Sequence, residues 1–372
     1  MAGLIDLIWP GAFGSGETIV FWATGGAPAL FAYADQLLAP VRPQQRTLPL
    51  RKLSLRNCAV FGAGRVHRVA TMNSRLLFVA QGVACLLSAR AVAKTQASVL
   101  TVHQVTASPQ GLSVNGYIVE GHHGLVAVDS ALTISDSKAL RTKVEALGKP
   151  LLAILLTHGH PDHYNGVFYL IEGRKVPVFA TAAVAKVIRE YDTLKEKQWK
   201  PVFGAEWPPA RAFPDHEIED RGKVTFDGLT FVAHDLGPAE SHADSYWELL
   251  GPQRAAFIGD EVLNGSHAYT NDGHTTEWLK NLDRLTRELK GVKRVYPGHG
   301  AAGDPSMLSW EKQYLIKYRQ EVEALRTGRP SLTEAQKKTL VGRMKAAYPT
   351  AGNEFMIALG ADTVAAELAR GR

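Results

Sequence analysis

The sequence predicts a layered α/β fold, and three observations lead to that prediction. Short apolar segments with the composition of strands alternate with longer amphipathic segments over residues 98–347. Several of the apolar segments end directly in turns that carry Asp or His. Residues 94–372 are enough for one large domain. Because ligands collect at the carboxyl ends of strands in such domains, we expect these turns to meet at one edge of the sheets.

The predicted elements follow one another along the chain. Strand-like runs alternate with period two or stay apolar throughout, whereas helical runs repeat their apolar residues every three to four positions. We predict strands at 98–106, 113–121, 124–130, 151–157, 176–182, 229–236, 255–260 and 292–300. We predict helices at 135–147, 183–191, 276–289, 307–325 and 331–347, the last two of which close the chain. No internal repeat is visible, and no run after residue 93 is long and apolar enough to span a bilayer.

The charge of the chain is unevenly distributed. The formal net charge of +6 comes from residues 1–93, which carry nine Lys or Arg and three Asp or Glu. Residues 94–372 carry 33 of each sign. A neutral domain lacks the basic surface that binds nucleic acid, so we expect a small-molecule substrate and no nucleic-acid partner. The sequence leaves the oligomeric state open.

Residues 72–93 have the order of a secretory signal peptide. A basic residue, Arg75, precedes an apolar stretch shorter than a membrane span, and residues 91–93 read Ala-Val-Ala, as at a cleavage site. We therefore expect translation from Met72, cleavage after Ala93, and a periplasmic or secreted protein without a stable membrane anchor after processing. A buried helix is the alternative interpretation of this segment.

Residues 1–71 are then interpreted as an upstream extension that is not part of the native protein. They show no sustained helical or strand periodicity. An N-terminal membrane-associated segment is the alternative. Both cysteines of the chain, Cys58 and Cys85, precede residue 94. The predicted mature domain, residues 94–372, therefore needs no disulfide and cannot use a thiolate as ligand or nucleophile.

The segment ILLTHGHPDHYNG, residues 154–166, places three imidazoles and a carboxylate close together after an apolar run. These groups are His158, His160, Asp162 and His163. A single His is usually a surface or core residue, but four such groups at this spacing are not explained in that way. Neutral imidazole and carboxylate are ligands that zinc and similar cations prefer, and a turn lets several reach one small volume. The stretch predicts a metal site.

Other polar groups follow other predicted strands. Asp129 lies in "VAVDS", Asp260 ends "FIGD", and His299 lies in "YPGHG". His242 lies in "GPAESHADSYW", after the strand that ends near residue 236. Since these positions follow strands of one layered domain, we expect them to converge with the His cluster.

In this order, the motifs resemble the metallo-β-lactamase superfamily over roughly residues 99–302. The resemblance implies an αββα sandwich, in which two mixed β-sheets are flanked by helices and a dinuclear metal site lies at the sheet edges. It also implies roles for individual residues. His158, His160 and His242 would hold one metal, Asp162, His163 and His299 the other, Asp260 would bridge both, and Asp129 would orient a ligand His.

Departures from the family pattern narrow the implied function. Asp260 stands where the best-known β-lactamases carry Cys, as in the glyoxalase-II and lactonase branches. His160 stands where diiron flavoproteins carry Glu, and the gap between His242 and His299 is short for the inserted domain of the nuclease relatives. The resemblance therefore implies that residues 94–372 are a secreted zinc hydrolase domain with C-terminal helices, acting on an ester, lactone, β-lactam or thioester.

The implied mechanism uses two zinc ions per chain. A water that bridges two such ions has its pKa lowered toward about 7, which gives a hydroxide nucleophile at neutral pH. Asp162 and Asp260 would take part in catalysis by holding and partly neutralising the ions. Two other function classes stay open. One is an iron-dependent redox enzyme of the same fold, similar to the persulfide dioxygenases, and the other is a non-catalytic binding protein.

Weaker signals lie between the motifs. The loop after Asp260 carries His267, Tyr269 and His274, which we predict to contact substrate, although a polar surface loop is the alternative. The aromatic-rich segment 197–213 would cover the cleft as a lid or pack as an ordinary loop. Four histidines belong to no motif and are left out of the predicted site, namely His122, His123, His216 and His234.

Overall fold

Two β-sheets with helices outside them make up the chain in the computed structural model, which describes residues 100–371. The predictions for residues 1–93 lie outside the described residues. The strands are β1 (Thr101–Thr106), β2 (Asn115–Glu120), β3 (Leu125–Val128), β4 (Leu151–Leu155), β5 (Val178–Thr181), β6 (His216–Ile218), β7 (Lys223–Phe226), β8 (Leu229–Gly237), β9 (Asp244–Leu249), β10 (Ala255–Leu263) and β11 (Arg294–His299). The helices are α1 (Ile134–Ala146), α2 (Pro161–Tyr164), α3 (Val167–Ile171), α4 (Ala182–Phe203), α5 (Thr275–Glu288), α6 (Met307–Arg326), α7 (Glu334–Ala347), α8 (Met356–Leu359) and α9 (Ala361–Arg370). None of these helices is long and apolar enough to cross a membrane.

Both sheets are mixed. The first has the order β1-β2-β3-β4-β5-β6, antiparallel from β1 to β3 and parallel from β3 to β6. The second has the order β11-β10-β9-β8-β7, in which only β10 and β11 pair in parallel. Isolated bridges join His158 to Asp244 and Val114 to His299, so the ends of strands from the two sheets meet. The polar segments that follow the strands therefore gather at this meeting point.

Alternation along the strands divides the apolar side chains among three layers. Val126 and Val128 of β3 pack between the sheets with Phe231 and Trp247 of the second sheet. Ala127, between them in sequence, faces the opposite way into the layer under α1, α3 and α4. A third layer joins the outer face of the second sheet to α5, α6, α7 and α9. This period-two burial confirms the predicted αββα sandwich of two mixed sheets.

One helix is longer than predicted. The predicted helix at 183–191 is the first part of α4, which continues to Phe203. Trp199 and Phe203, predicted to lie in a loop, therefore belong to the last two turns of a helix. Pro201 lies in the last turn of α4.

The prediction that α6 and α7 close the chain is wrong, because α8 and α9 follow them. Ile357 of α8 and Val364 of α9 are fully buried in the layer outside the second sheet. Residues 349–355 contain Thr, Gly and Asn and interrupt the apolar pattern, and α8 is too short to show helical periodicity. Tertiary packing, more than local sequence pattern, holds these last helices in place.

Replacing Ile357 tests this placement of α8. Ile357→Ala should lower the free energy of unfolding by about 2–5 kcal/mol, since a buried isoleucine is truncated in a packed layer. Ile316→Ala on α6, where the side chain is 38% exposed, is the matched control and should have little effect. Urea unfolding followed by tryptophan fluorescence, at one metal concentration, measures both. Equal losses in the two variants would contradict the burial of α8.

Candidate metal centre

Two clusters of buried side chains lie where the sheets meet, and the ligand atoms within each are no more than 4.8 Å apart. One cluster consists of His158, His160 and Glu240. The other consists of Asp162, His163, Asp260 and His299. Six of the seven predicted ligands therefore lie in these clusters, and their imidazole and carboxylate groups are of the kinds that hold zinc and related cations.

The four-residue cluster is built by α2 and by the parallel pair β10 and β11. Asp162 and His163 lie on α2, close after β4, and His299 ends β11. Asp260 lies inside β10, not in a turn after it as predicted. A Cβ at Gly298 would lie 1.7 Å from Asp260 Oδ1, so only glycine leaves room for this carboxylate beside β11. The close approach of the two strands explains the glycine that precedes His299.

The atoms of this cluster are spaced like ligands around a tetrahedral cation. His163 Nε2 lies 3.3 Å from Asp260 Oδ1 and 3.7 Å from Asp162 Oδ2. His299 Nε2 lies 3.4 Å from a carboxylate oxygen of each of the same two residues. Bonds of about 2.0–2.1 Å at tetrahedral angles would separate ligand atoms by about 3.3–3.4 Å. His163 Nε2 and Asp260 Oδ1 are buried and not aligned for a hydrogen bond, so the residues fit a divalent cation.

The three-residue cluster contains a carboxylate that the sequence analysis missed. Glu240 Oε2 lies 2.7 Å from His160 Nδ1 and 3.5 Å from His158 Nε2. The loop between β8 and β9 determines this position, because the Asp244 carboxylate accepts hydrogen bonds from the backbone of Ala239 and Ser241 on either side of Glu240. The segment "AESHADS" contains both Glu240 and His242, and spacing alone does not choose between them.

His242, the third predicted ligand of this metal, lies outside the cluster. Its side chain is 29% exposed, and its Nδ1 lies 2.8 Å from His274 Nε2. Its ring packs against Tyr191, and its Nε2 is 3.8 Å from Asp272. The structure thus places Glu240, and not His242, against His158 and His160.

Asp129 holds His163 of the four-residue cluster through the ring nitrogen that faces away from the other ligand atoms. Its carboxylate accepts hydrogen bonds from the backbone nitrogen and hydroxyl of Thr157, and it lies 2.9 Å from His163 Nδ1. Asp129 has a φ of 59°, a left-handed conformation that Asp adopts more readily than most residues. With Nδ1 held, His163 presents Nε2 to Asp260, as expected of the orienting role predicted for Asp129.

Asp272 holds His160 in a similar way and was not predicted. Its Oδ2 lies 3.0 Å from His160 Nε2, and its Oδ1 lies 3.3 Å from the ammonium of Lys195. Burial alone would raise the pKa of Asp272, but Lys195 and His160 keep it well below its usual range. Lys195 comes from the part of α4 that extends beyond the predicted helix. Because the predicted helix ended at residue 191, the sequence did not predict this pair.

Burial and neighbouring charges shift the pKa values of the candidate ligands in different directions. Burial lowers the pKa of His158 well below its usual value. Burial also acts to lower the pKa of His299, but the carboxylates of Asp260 and Asp162 raise it to about 9. Burial and the charge of Asp260 raise the pKa of Glu240. Because ligands must lose their protons to bind a cation, protons and metal compete for this site.

A cavity opens at both clusters. Leu112, Leu132, Trp199 and Met356 are among the apolar residues that line it. The predicted substrate contacts His267 and Tyr269 also line the cavity, whereas His274 contacts His242 instead. Trp199 reaches the cavity as a buried residue of α4 and not as part of a loop.

Comparison with known proteins agrees with this geometry. The sequence model described as "Metallo-beta-lactamase superfamily" matches residues 109–299. A metallo-beta-lactamase type 2 from Bacillus sp. (strain 170) is 24% identical over 199 residues, which cover 52% of this chain and 69% of that protein. An atrochrysone carboxyl ACP thioesterase from Passalora fulva is 25% identical over 226 residues, covering 57% of this chain and 55% of that protein. The crystal structure of a metallo-beta-lactamase family protein from Thermus thermophilus superposes with a TM-score of 0.52 at 21% identity, covering 73% of this chain and 93% of that one.

Separate substitutions of Glu240 and His242 test which residue completes the three-residue cluster. Glu240→Gln keeps the shape but removes a charge, so the affinity for one metal ion should fall at least about 10-fold. His242→Ala should stay within about threefold of wild type, since His242 lies outside the cluster. Metal content after dialysis against graded chelator measures both. Metal loss in His242→Ala with retention in Glu240→Gln would restore His242 as the ligand.

Proposed function

This chain belongs to the metallo-β-lactamase superfamily, and from that premise we propose that it is a metal-dependent hydrolase of an ester, lactone, β-lactam or thioester. The observation that carries the proposal is the pair of buried ligand clusters that open on one cavity. The Bacillus relative is named as a β-lactamase and the Passalora relative as a thioesterase, which supports an acyl compound as substrate. The apolar residues of the cavity wall suit an apolar acyl group.

We propose zinc as the cofactor, with two ions per chain. Bound zinc would lower the pKa of a water toward about 7 and polarise a carbonyl group. The chain's own part is to hold the ions and to place them beside the cavity. Asp260 belongs to the four-residue cluster, and its negative charge acts on the other cluster: it opposes the burial that lowers the pKa of His158 and adds to the burial that raises the pKa of Glu240. This proximity supports the bridging role proposed for Asp260.

The serines beside the candidate site support hydrolysis without an acyl-enzyme. The Ser241 hydroxyl donates a hydrogen bond to the carbonyl of Ala243, and the Ser245 hydroxyl donates one to the carbonyl of Thr157. Both serines are buried, and neither hydroxyl has a hydrogen bond to a histidine among residues 100–371, while the Ser241 side chain also contacts the Asp244 carboxylate. A serine nucleophile needs such a base to take its proton.

A second candidate function rests on the donor set of the first cluster. His158, His160 and Glu240 supply two imidazoles and one carboxylate, a set found at non-haem iron centres as well as at catalytic zinc sites. An iron-dependent redox enzyme is therefore the alternative. The second cluster favours the hydrolase, because a two-histidine, one-carboxylate oxygenase centre needs one metal ion. The iron-to-zinc ratio in protein purified without added metal separates the two.

Asp260→Asn tests the proposed hydrolase. The variant keeps the shape of the side chain but removes a charge shared by the two clusters, so turnover should fall by about 10- to 100-fold or more. Ser241→Ala and Ser245→Ala, the matched controls, should retain far more activity. Turnover of a chromogenic β-lactam, an acyl-homoserine lactone and a thioester is measured with metal content for each variant. An active Asp260→Asn beside an inactive serine variant would indicate a covalent acyl-enzyme.

Export to the periplasm or the medium also remains a proposal. It is supported by the order of basic, apolar and small residues in 72–93. Residues 94–372 need no disulfide for this environment, since Cys58 and Cys85 precede them. N-terminal sequencing of native protein should find a mature chain that begins near Lys94. A chain that retains residues before Met72 would contradict both the start site and the location.

A further inference from the structure

His267 has an unpaired ring nitrogen that the proposed ligand set does not explain. Its side chain is 1% exposed and lines the cavity, yet its Nε2 has no hydrogen-bond partner among residues 100–371. Buried polar atoms in proteins almost always have a partner, because an unpaired one loses its hydration without compensation. An unpaired nitrogen in the wall of a cavity is therefore placed to meet a bound molecule.

The other ring nitrogen fixes the imidazole and its tautomer. His267 Nδ1 lies 3.0 Å from the hydroxyl of Tyr314, which is fully buried on α6. The backbone N–H of Ala268 donates to that hydroxyl oxygen, and Nδ1 is the acceptor that the described residues offer for the phenolic proton. We assign the Tyr314 proton to this bond. In a neutral imidazole the ring proton then sits on Nε2, which makes Nε2 a donor in a residue of the cavity wall.

The side-chain donors beside His267 in the cavity wall already have partners. The amide nitrogen of Asn353 donates to Ser266 Oγ at 2.9 Å and to the carbonyl of Leu112 at 3.2 Å. Ser266 Oγ in turn donates to the backbone carbonyl of His267. Lys195, the cation of the cavity wall, is paired with Asp272. Among the side-chain donors of Ser266, His267 and Asn353, the N–H of His267 is the one without a protein partner in the described residues.

We propose that His267 donates a hydrogen bond from Nε2 to an acceptor oxygen of the substrate and so positions the acyl compound in the cavity. The proposal rests on the hydrolase function proposed above and adds a substrate-positioning residue to it. Burial lowers the pKa of His267 to about 4, so the imidazole is neutral near pH 7 and binds the substrate without transferring a proton. His267 belongs to neither metal cluster.

A matched pair of substitutions tests the donor. His267→Gln keeps an N–H near the position of Nε2, whereas His267→Leu removes it with an apolar side chain. With metal content unchanged in both, we expect kcat/KM for the best ester, lactone or thioester to fall about 10-fold or more in His267→Leu. His267→Gln should stay within about threefold of wild type. Equal kcat/KM values in the two variants, whether both fall or neither does, would overturn the proposal.

A second measurement separates this proposal from the hydrolase function itself. Nitrogen NMR of the zinc-loaded wild type, labelled at histidine, should find the His267 proton on Nε2. That signal should shift when acetohydroxamate, a small carbonyl-bearing zinc ligand, is added. If wild type hydrolyses none of the acyl compounds, the hydrolase proposal fails, and the NMR signal still decides the role of His267. A proton on Nδ1, or a signal that acetohydroxamate leaves unchanged, would overturn that role.

Discussion

The hydrogen bonds of one buried carboxylate, that of Asp129, tie together the segments that form the centre. Asp129 follows β3, and its oxygens bind both the backbone and the hydroxyl of Thr157 beyond β4. The same carboxylate holds His163 on α2, so one side chain sets the distance between two strand ends and a helix. His163 then contacts Asp260 of the second sheet, so this contact also depends on the relative position of the two sheets. The left-handed backbone of Asp129 is the local strain that this arrangement requires.

Because of the buried negative charge, a bound cation would contribute to the stability of the fold as well as to the proposed chemistry. Asp162, Glu240 and Asp260 are all buried within the two clusters, and Asp129 lies directly behind them. Burying carboxylates without paired positive charge is strongly unfavourable, and the nearby ammonium of Lys195 is already paired with Asp272. In the protein alone, protonated imidazoles such as His299 supply part of the balancing charge. A divalent cation would replace those protons, so its binding would stabilise the folded chain while it assembled the site.

The sequence was sufficient for the fold and for most of the candidate ligands, because both depend on short local patterns. Each strand that ends in a polar group has a clear period and a clear end, so Asp129, His163 and His299 were found from the sequence. Glu240 was missed because the hydrogen bonds of Asp244 decide which side chain of that loop points inward. Asp272 and Lys195 were missed because their pairing depends on the true length of α4. In each case a contact between distant segments outweighed the local pattern.

The same distinction separates the metal ligands of the site from its substrate pocket. The candidate ligands come from strands, from the loops that follow strands and from α2, within the region matched by the superfamily model. Trp199 on α4, Met356 on α8 and Tyr314, which fixes His267 from α6, are set by helices whose extent or packing the sequence did not fully predict. Met356 and Tyr314 also lie beyond residue 299, outside the matched region. Chemistry that depends on the ligands is therefore expected to follow the superfamily, whereas the choice of substrate is expected to depend also on α6 and α8, which lie outside the matched region.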